Sequence, residues 1–284
     1  MRWTRGDRSN VEDLRGRSGI GMRAGGLGIG GVLLLLVLSW FTGIDFLSLS
    51  GGLPAPTESV GTTGPVAATP EEEALVDFVD AVMRDAQGTW SDLLDGYEST
   101  RVVLFRDAIQ SACGFAQSAT GPFYCPGDRK VYLDLGFFNE LHRRLGARGD
   151  FAQAYVLAHE LGHHVQTLTG IERRMRAAQQ RDPSLANALS VRMELQADCF
   201  AGVWGHTAAR DGRAEQGKVE LEPGDAEEGL NAAASIGDDR LTGGRVAPDR
   251  FTHGTSEQRM TWFRRGLETG NPKACDTFGS DLGF

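Results

Sequence analysis

Residues 150–170 read DFAQAYVLAHELGHHVQTLTG, and the fold is decided there. Asp150 and Gln153 predict a capping box at the start of a helix, and Gly170 stands where a C-terminal cap belongs. Apolar Val156, Leu157, Leu161 and Val165 supply that helix with a packing face. The same helix carries His159, Glu160 and His163 as an HExxH. Positions i and i+4 put both imidazoles on one face about one turn apart, a spacing that a single tetrahedral zinc can bridge, with Glu160 beside it. A zinc that does chemistry keeps three protein ligands and one open position. The third ligand must come from elsewhere in the chain.

Downstream, Asp182 as cap and Pro183 in the first turn predict a second long helix through LANALSVRMELQADCFAGVWGHTAA, residues 185–209. It carries Glu194 and, one turn later on the same face, Asp198. We assign Glu194 as the third ligand and Asp198 as an acceptor that orients a ligand histidine through its distal N–H. A helical glutamate is ordinarily only solvated, and that alternative stays open on spacing alone. A third helix opens with Asp225 and Glu228 before GLNAAASIG. Upstream, Thr69, Pro70 and Glu72 give an N-cap, a first-turn proline and a capping-box glutamate ahead of Leu75, Val79 and Val82, so a helix begins at Pro70. Val102–Phe105 and the KVYLD run from Lys130 are short β-rich stretches. The expectation is an α+β fold, mainly helical, with a small sheet.

Charge divides the chain. The 284 residues carry a net charge of -9, which argues against a nucleic-acid partner. Residues 1–23 nevertheless hold six arginines, and the stretch 24–44, AGGLGIGGVLLLLVLSWFTGI, has no formal charge. As a helix its 21 residues span about 31 Å, the thickness of a bilayer core. No good small-x-small cleavage site follows it. The sequence therefore predicts a basic cytoplasmic segment (1–23), a single membrane crossing (24–44), a Gly, Pro, Ser and Thr-rich linker (45–68) and an extracytoplasmic domain (69–284). The four cysteines, Cys113, Cys125, Cys199 and Cys275, contain no CxxC pair and read as two disulfides with three connectivities. Of these we favour Cys113 with Cys125 and Cys199 with Cys275.

Together these segments resemble the bacterial neutral zinc metallopeptidases, membrane-anchored members of the zincin group. The likeness runs end to end: MRW and NVED, the apolar stretch, CGFA, GPFYCPGDRKVYLDLGFF, HELGHHVQ, ELQADCFAG, IGDDRL, FTHGTSEQR and CDTFG fall in the family's order. The resemblance implies a zincin fold in which the active-site helix packs on a small sheet whose edge strand lies above the metal. ELQAD is similar to the ExxxD element of gluzincin-like peptidases, which supports Glu194 with Asp198 behind it. His253 and Arg259 have the spacing of a His and Arg in the membrane CAAX-processing metalloproteases, where the histidine stabilises the tetrahedral intermediate. Gly254 stands where that relative has proline, and a polar loop histidine is more often simply solvated.

The reaction these residue types describe is hydrolysis of a peptide bond in a polypeptide substrate, with Glu160 as general base on a zinc-activated water. If KVYLD is the sheet edge, it binds the extended substrate by strand addition. His164, about 100° further round the helix, is read as making a surface or supporting hydrogen bond rather than binding metal. His142 and His206 have no partner at ligand spacing; Asp238 and Asp239 could pair with Arg259 or another arginine near the site, but acids at a helix end are usually solvated and they receive no role. Two rivals remain: a catalytically inactive zincin-fold binding module at the membrane, and a zinc amidase acting on cell-wall peptide.

Overall fold

Thr69 accepts a hydrogen bond from the Glu72 main chain at 3.2 Å, and Pro70 supplies a helical φ, so helix α1 (Pro70–Leu93) starts where its caps predict. The computed structural model describes residues 1–16 and 68–279. Its strands are β1 (Val11–Asp13), β2 (Val102–Phe105), β3 (Ala108–Ser111), β4 (Gly114–Gln117), β5 (Phe123–Cys125) and β6 (Lys130–Asp134). The helices that follow α1 are α2 (Gly136–Arg143), α3 (Asp150–Leu168), α4 (Ile171–Arg181), α5 (Ala186–Ala208), α6 (Asp225–Ser235) and α7 (Ser256–Thr269), with a single turn at Asp238–Leu241. The architecture is mainly helical α+β with small sheets, as the sequence leads one to expect.

One sheet has the order β1-β2-β6-β5, with β1 and β6 parallel to β2 and β5 antiparallel to β6; β3 and β4 form a separate hairpin. VVLF shows no polar alternation because both faces of β2 are covered. Val102 and Leu104 join the helical core, while Val103 and Phe105 pack with Cys125, Tyr132 and the hairpin's Ile109 on the other side. KVYLD follows the same logic and corrects one expectation: β6 lies inside the sheet, between β2 and β5, with Val131, Tyr132 and Leu133 all buried. The edge strand beside the active-site helix is β5.

Two caps also differ from their prediction. Gly149, at φ 98°, precedes α3, so Asp150 sits inside the first turn, and Glu228 accepts the Phe151 N–H at 3.1 Å in place of the expected box. Asp182 caps a 3-10 turn, Pro183–Leu185, through the Ser184 N–H, and α5 begins only after it. In the core, Phe151 of α3 stacks on Trp204 of α5, and Tyr155 meets Phe263 of α7 edge-on. Helices α5 and α7 cross so closely that a Cβ on Gly266 would lie 1.9 Å from the Cys199 carbonyl oxygen. Both favoured disulfides are present, Cys113–Cys125 and Cys199–Cys275.

The N-terminal segment overturns the expected localisation. Among the described residues no helix is long and apolar enough to cross a membrane, and the run 24–44 lies outside the described residues. More decisively, residues 1–16 are built into the fold of residues 68–279. Val11, Glu12 and Asp13 pair in parallel with Val102, Val103 and Leu104, and Trp3 packs edge-on against Phe78. A cytoplasmic N-terminus with its domain across a bilayer is incompatible with one sheet containing both. Composition misled because Arg2, Arg5, Arg8 and Arg15, the arginines among the described residues 1–16, meet acidic partners in the fold. Arg8 binds Glu73 and Asp77 at 2.6 Å each, Arg5 reaches Asp77 at 3.0 Å, and Arg15 binds Asp13 at 2.7 Å and Glu73 at 2.8 Å.

Candidate functional site

Helix α3 presents His159, Glu160 and His163 to a cleft of about 1030 Å³, and α5 presents Glu194 to the same cleft. The two helices meet at Gly162, where an added Cβ would lie 3.0 Å from the Ala197 backbone and 3.2 Å from its Cβ. The glycine of HELGH thus permits the close approach that carries Glu194 to the histidines. Glu194 Oε2 lies 3.1 Å from His159 Nε2, and Oε1 lies 3.5 Å from His163 Nε2. One donor atom from each of the three residues falls within 4.8 Å of the others, a grouping that could hold a metal ion. Two imidazoles and one carboxylate suit zinc.

The distal nitrogens are both occupied, which turns the two Nε2 atoms toward Glu194. His159 Nδ1–H donates to Asp198 Oδ1 at 2.8 Å, and His163 Nδ1–H donates to Gln166 Oε1 at 2.8 Å. The amide orientation of Gln166 is set by its own donor, which reaches the Met193 carbonyl at 2.8 Å, next to Glu194. Asp198 is fully buried and receives Arg259 twice, Nε on Oδ2 at 2.8 Å and Nη2 on Oδ1 at 2.9 Å, together with a short hydrogen bond from the Tyr155 hydroxyl. Arg259 is itself 2 % exposed. Asp198 and Arg259 are therefore one buried ion pair standing behind His159.

Burial pushes the Glu160 carboxyl up to about 7, against the opposing pull of the His159 charge. Burial would also raise Glu194, but the charges of His163, His159 and Arg259 hold it well below the usual carboxylate range. Burial disfavours the charge on His159, yet Asp198 and Glu194 outweigh it and raise the imidazole to about 10. His163 is lowered, chiefly by burial.

The remaining candidates fall into place unevenly. His253 lines the cleft with its side chain about half exposed, and its Nδ1 lies 3.2 Å from Asp238 Oδ1. Asp238 Oδ2 accepts the main-chain N–H groups of Thr252, His253 and Gly254 at 2.8, 2.7 and 3.1 Å, so it clamps the loop that bears this histidine. Asp239 caps Ser256 instead, and neither acid pairs with Arg259. His164 is buried, not on the surface. His142 is exposed, and His206 bonds to the Leu267 carbonyl. Tyr155 and Gln166 escaped the sequence reading although helical spacing offered a signal: they stand four residues before His159 and three after His163. Asp238 gave no such signal, because its contacts to residues 252–254 are long-range.

Residues 1–278 match the family described as "Putative neutral zinc metallopeptidase". The chain belongs to this family. It is 45% identical to an uncharacterized Escherichia coli K12 protein, YpfJ, over 99% of this chain and the full length of that one. It is 44% identical to an uncharacterized protein of Mycobacterium tuberculosis H37Rv, over 72% of this chain and 71% of the relative. No solved structure matches it. Family membership suggests a hydrolase, and the family name and donor set together suggest zinc.

Proposed function

We propose that the protein is a zinc-dependent peptidase with a zincin-like active site that hydrolyses peptide bonds in polypeptides. The observation that carries this reading is the convergence of His159, His163 and Glu194 beside the buried carboxyl of Glu160, in a cleft open to a chain-sized substrate. Zinc held by those three side chains would supply the Lewis acid that activates water and polarises the scissile carbonyl. Glu160 takes the proton of the attacking water and returns it to the leaving amine, an exchange for which a buried carboxyl beside the metal ligands is placed. Asp198 and Gln166 hold the two imidazoles in the tautomer that leaves Nε2 free for the metal. As an imidazolium, His253 would donate Nδ1–H to Asp238 and Nε2–H to the oxyanion. Strand β5, rather than β6, pairs with the extended peptide.

Metal analysis and peptide hydrolysis on Glu160→Gln provide the test. Bound zinc should stay at the wild-type level while turnover falls about 10²–10⁴-fold. Wild-type hydrolysis that survives removal of metal by a chelator, or full turnover in the variant, would sink the reading.

A further inference from the structure

The histidine that follows the second candidate ligand takes no part in the site as described, yet it is only 1 % exposed and both its ring nitrogens are engaged. His164 Nε2 lies 2.6 Å from the Glu98 carbonyl oxygen, which can only accept, so the proton sits on Nε2. Nδ1 is then an acceptor, and the Tyr124 hydroxyl donates to it at 3.0 Å. Tyr97 closes the other side of the imidazole edge-on, at 5.6 Å between ring centres. The His164 ring is thus fixed in position and tautomer by residues 97 and 98, and offers one specific acceptor to one phenol.

That phenol belongs to the middle residue of β5. The strand is three residues long, pairs with β6 through Phe123, Tyr124 and Cys125, and has no strand on its other edge among the described residues. Phe123, Tyr124 and Pro126 line the cleft above α3. A three-residue edge strand held from one side has little intrinsic rigidity. Its main chain must nonetheless sit at a set height above α3 if a peptide is to pair with it while its scissile bond reaches Glu160.

We propose that His164 is a positioning residue for substrate: through Tyr124 it sets the free edge of β5 over the active-site helix, and so fixes the register in which an extended peptide binds. The inference rests on the proposed peptidase function and adds to it the element that aligns the substrate. A histidine serving only the core would not spend its one acceptor on the strand that borders the cleft. The hydrogen bond from Tyr124 instead joins the helix that carries the chemistry to the strand that receives the chain.

The test uses the full chain loaded with zinc, chelator-treated controls, and fluorogenic peptides graded from two to about ten residues. Tyr124→Phe keeps the ring and the backbone and removes only the hydroxyl, so it should fold. Its KM should rise about three- to tenfold for the long peptides, the range of one lost hydrogen bond, and progressively less as the peptide shortens. His164→Phe should show the same length-dependent rise, and the double variant should show no more than either single one. A length-independent fall in kcat with KM unchanged, or additive effects in the double variant, would overturn the inference while leaving the peptidase reading intact. Absence of chelator-sensitive hydrolysis in the wild type would overturn both.

Discussion

Asp198 has no spare capacity: one oxygen receives His159, Tyr155 and Arg259, and the other receives Arg259 again. Replacing it by asparagine preserves volume but removes the charge and turns one acceptor into a donor. Zinc affinity of Asp198→Asn, measured by competition with a chromophoric chelator, should fall about 10–100-fold, because an outer carboxylate fixes the ligand imidazole and raises its basicity. The metal-free variant should also lose about 3–5 kcal/mol in denaturant unfolding, since the buried Arg259 keeps its charge but loses its hydrogen-bonded carboxylate partner, the nearest other one being Glu194 at 3.9 Å. An unchanged zinc affinity would mean that the carboxylate does not orient His159. Legibility at this scale follows sequence distance. His159, Glu160 and His163 are one helical turn of one element, so their meeting is dictated by 3.6 residues per turn. Glu194 and Asp198 share a face by the same rule, but their meeting with α3 depends on the Gly162–Ala197 approach, which no local pattern encodes. The clamp of Asp238 on the His253 loop depends on tertiary packing alone.

Strand β1 is attached in part through carboxyls whose pKa the fold depresses. Hydrogen bonds from Arg8 and Arg15 hold the Glu73 carboxyl below its ordinary value of 4.5. Burial acts to raise Asp13, but the hydrogen bonds and charge of Arg15 outweigh it and keep that carboxyl below 3.8. A carboxyl depressed in the folded state contributes stability above its unfolded pKa, and the contribution fades as pH falls through the folded value. Amide exchange, corrected for its intrinsic pH dependence, should therefore show residues 11–13 opening below about pH 4 while the amides of α3 remain protected. Loss of protection in β1 and α3 at the same pH would show that the strand is not a separately released unit. Elements with strong caps or long apolar periodicity, such as α1, were legible from the chain. The β3–β4 hairpin and α4 were not, since four-residue strands and a largely polar helix leave weak periodic signals. KVYLD was recognised as a strand, but its place inside the sheet is a matter of topology, and an apolar run buried on both faces is the sign of an interior position.

At the scale of the molecule, the joining of residues 1–16 to residues 68–279 was illegible because it is a long-range parallel pairing carried by three residues. Arginine-rich composition looks the same whether its partners are phospholipids or Glu73 and Asp77. The disulfides were more accessible to reasoning, and their positions predict unequal roles. Cys199–Cys275 spans 76 residues and has both residues fully buried, tying α5 to the turn that follows α7. Cys113–Cys125 spans 12 residues, with Cys113 exposed at the hairpin tip and Cys125 at the end of β5. Loop-closure entropy assigns about 4.5 kcal/mol to the longer loop and about 3 kcal/mol to the shorter, so a paired Cys199→Ala, Cys275→Ala variant should be the less stable of the two double replacements. Reduction should run in the opposite order. An attacking thiolate needs access to a sulfur, so mild reductant on the native protein should open Cys113–Cys125 first, while Cys199–Cys275 waits for α5 and α7 to part. Timed alkylation and mass mapping can read that order directly. Early labelling of Cys275 would mean that the α5–α7 contact breathes in the native state, and with it the Asp198–Arg259 pair, because both sit on those two helices.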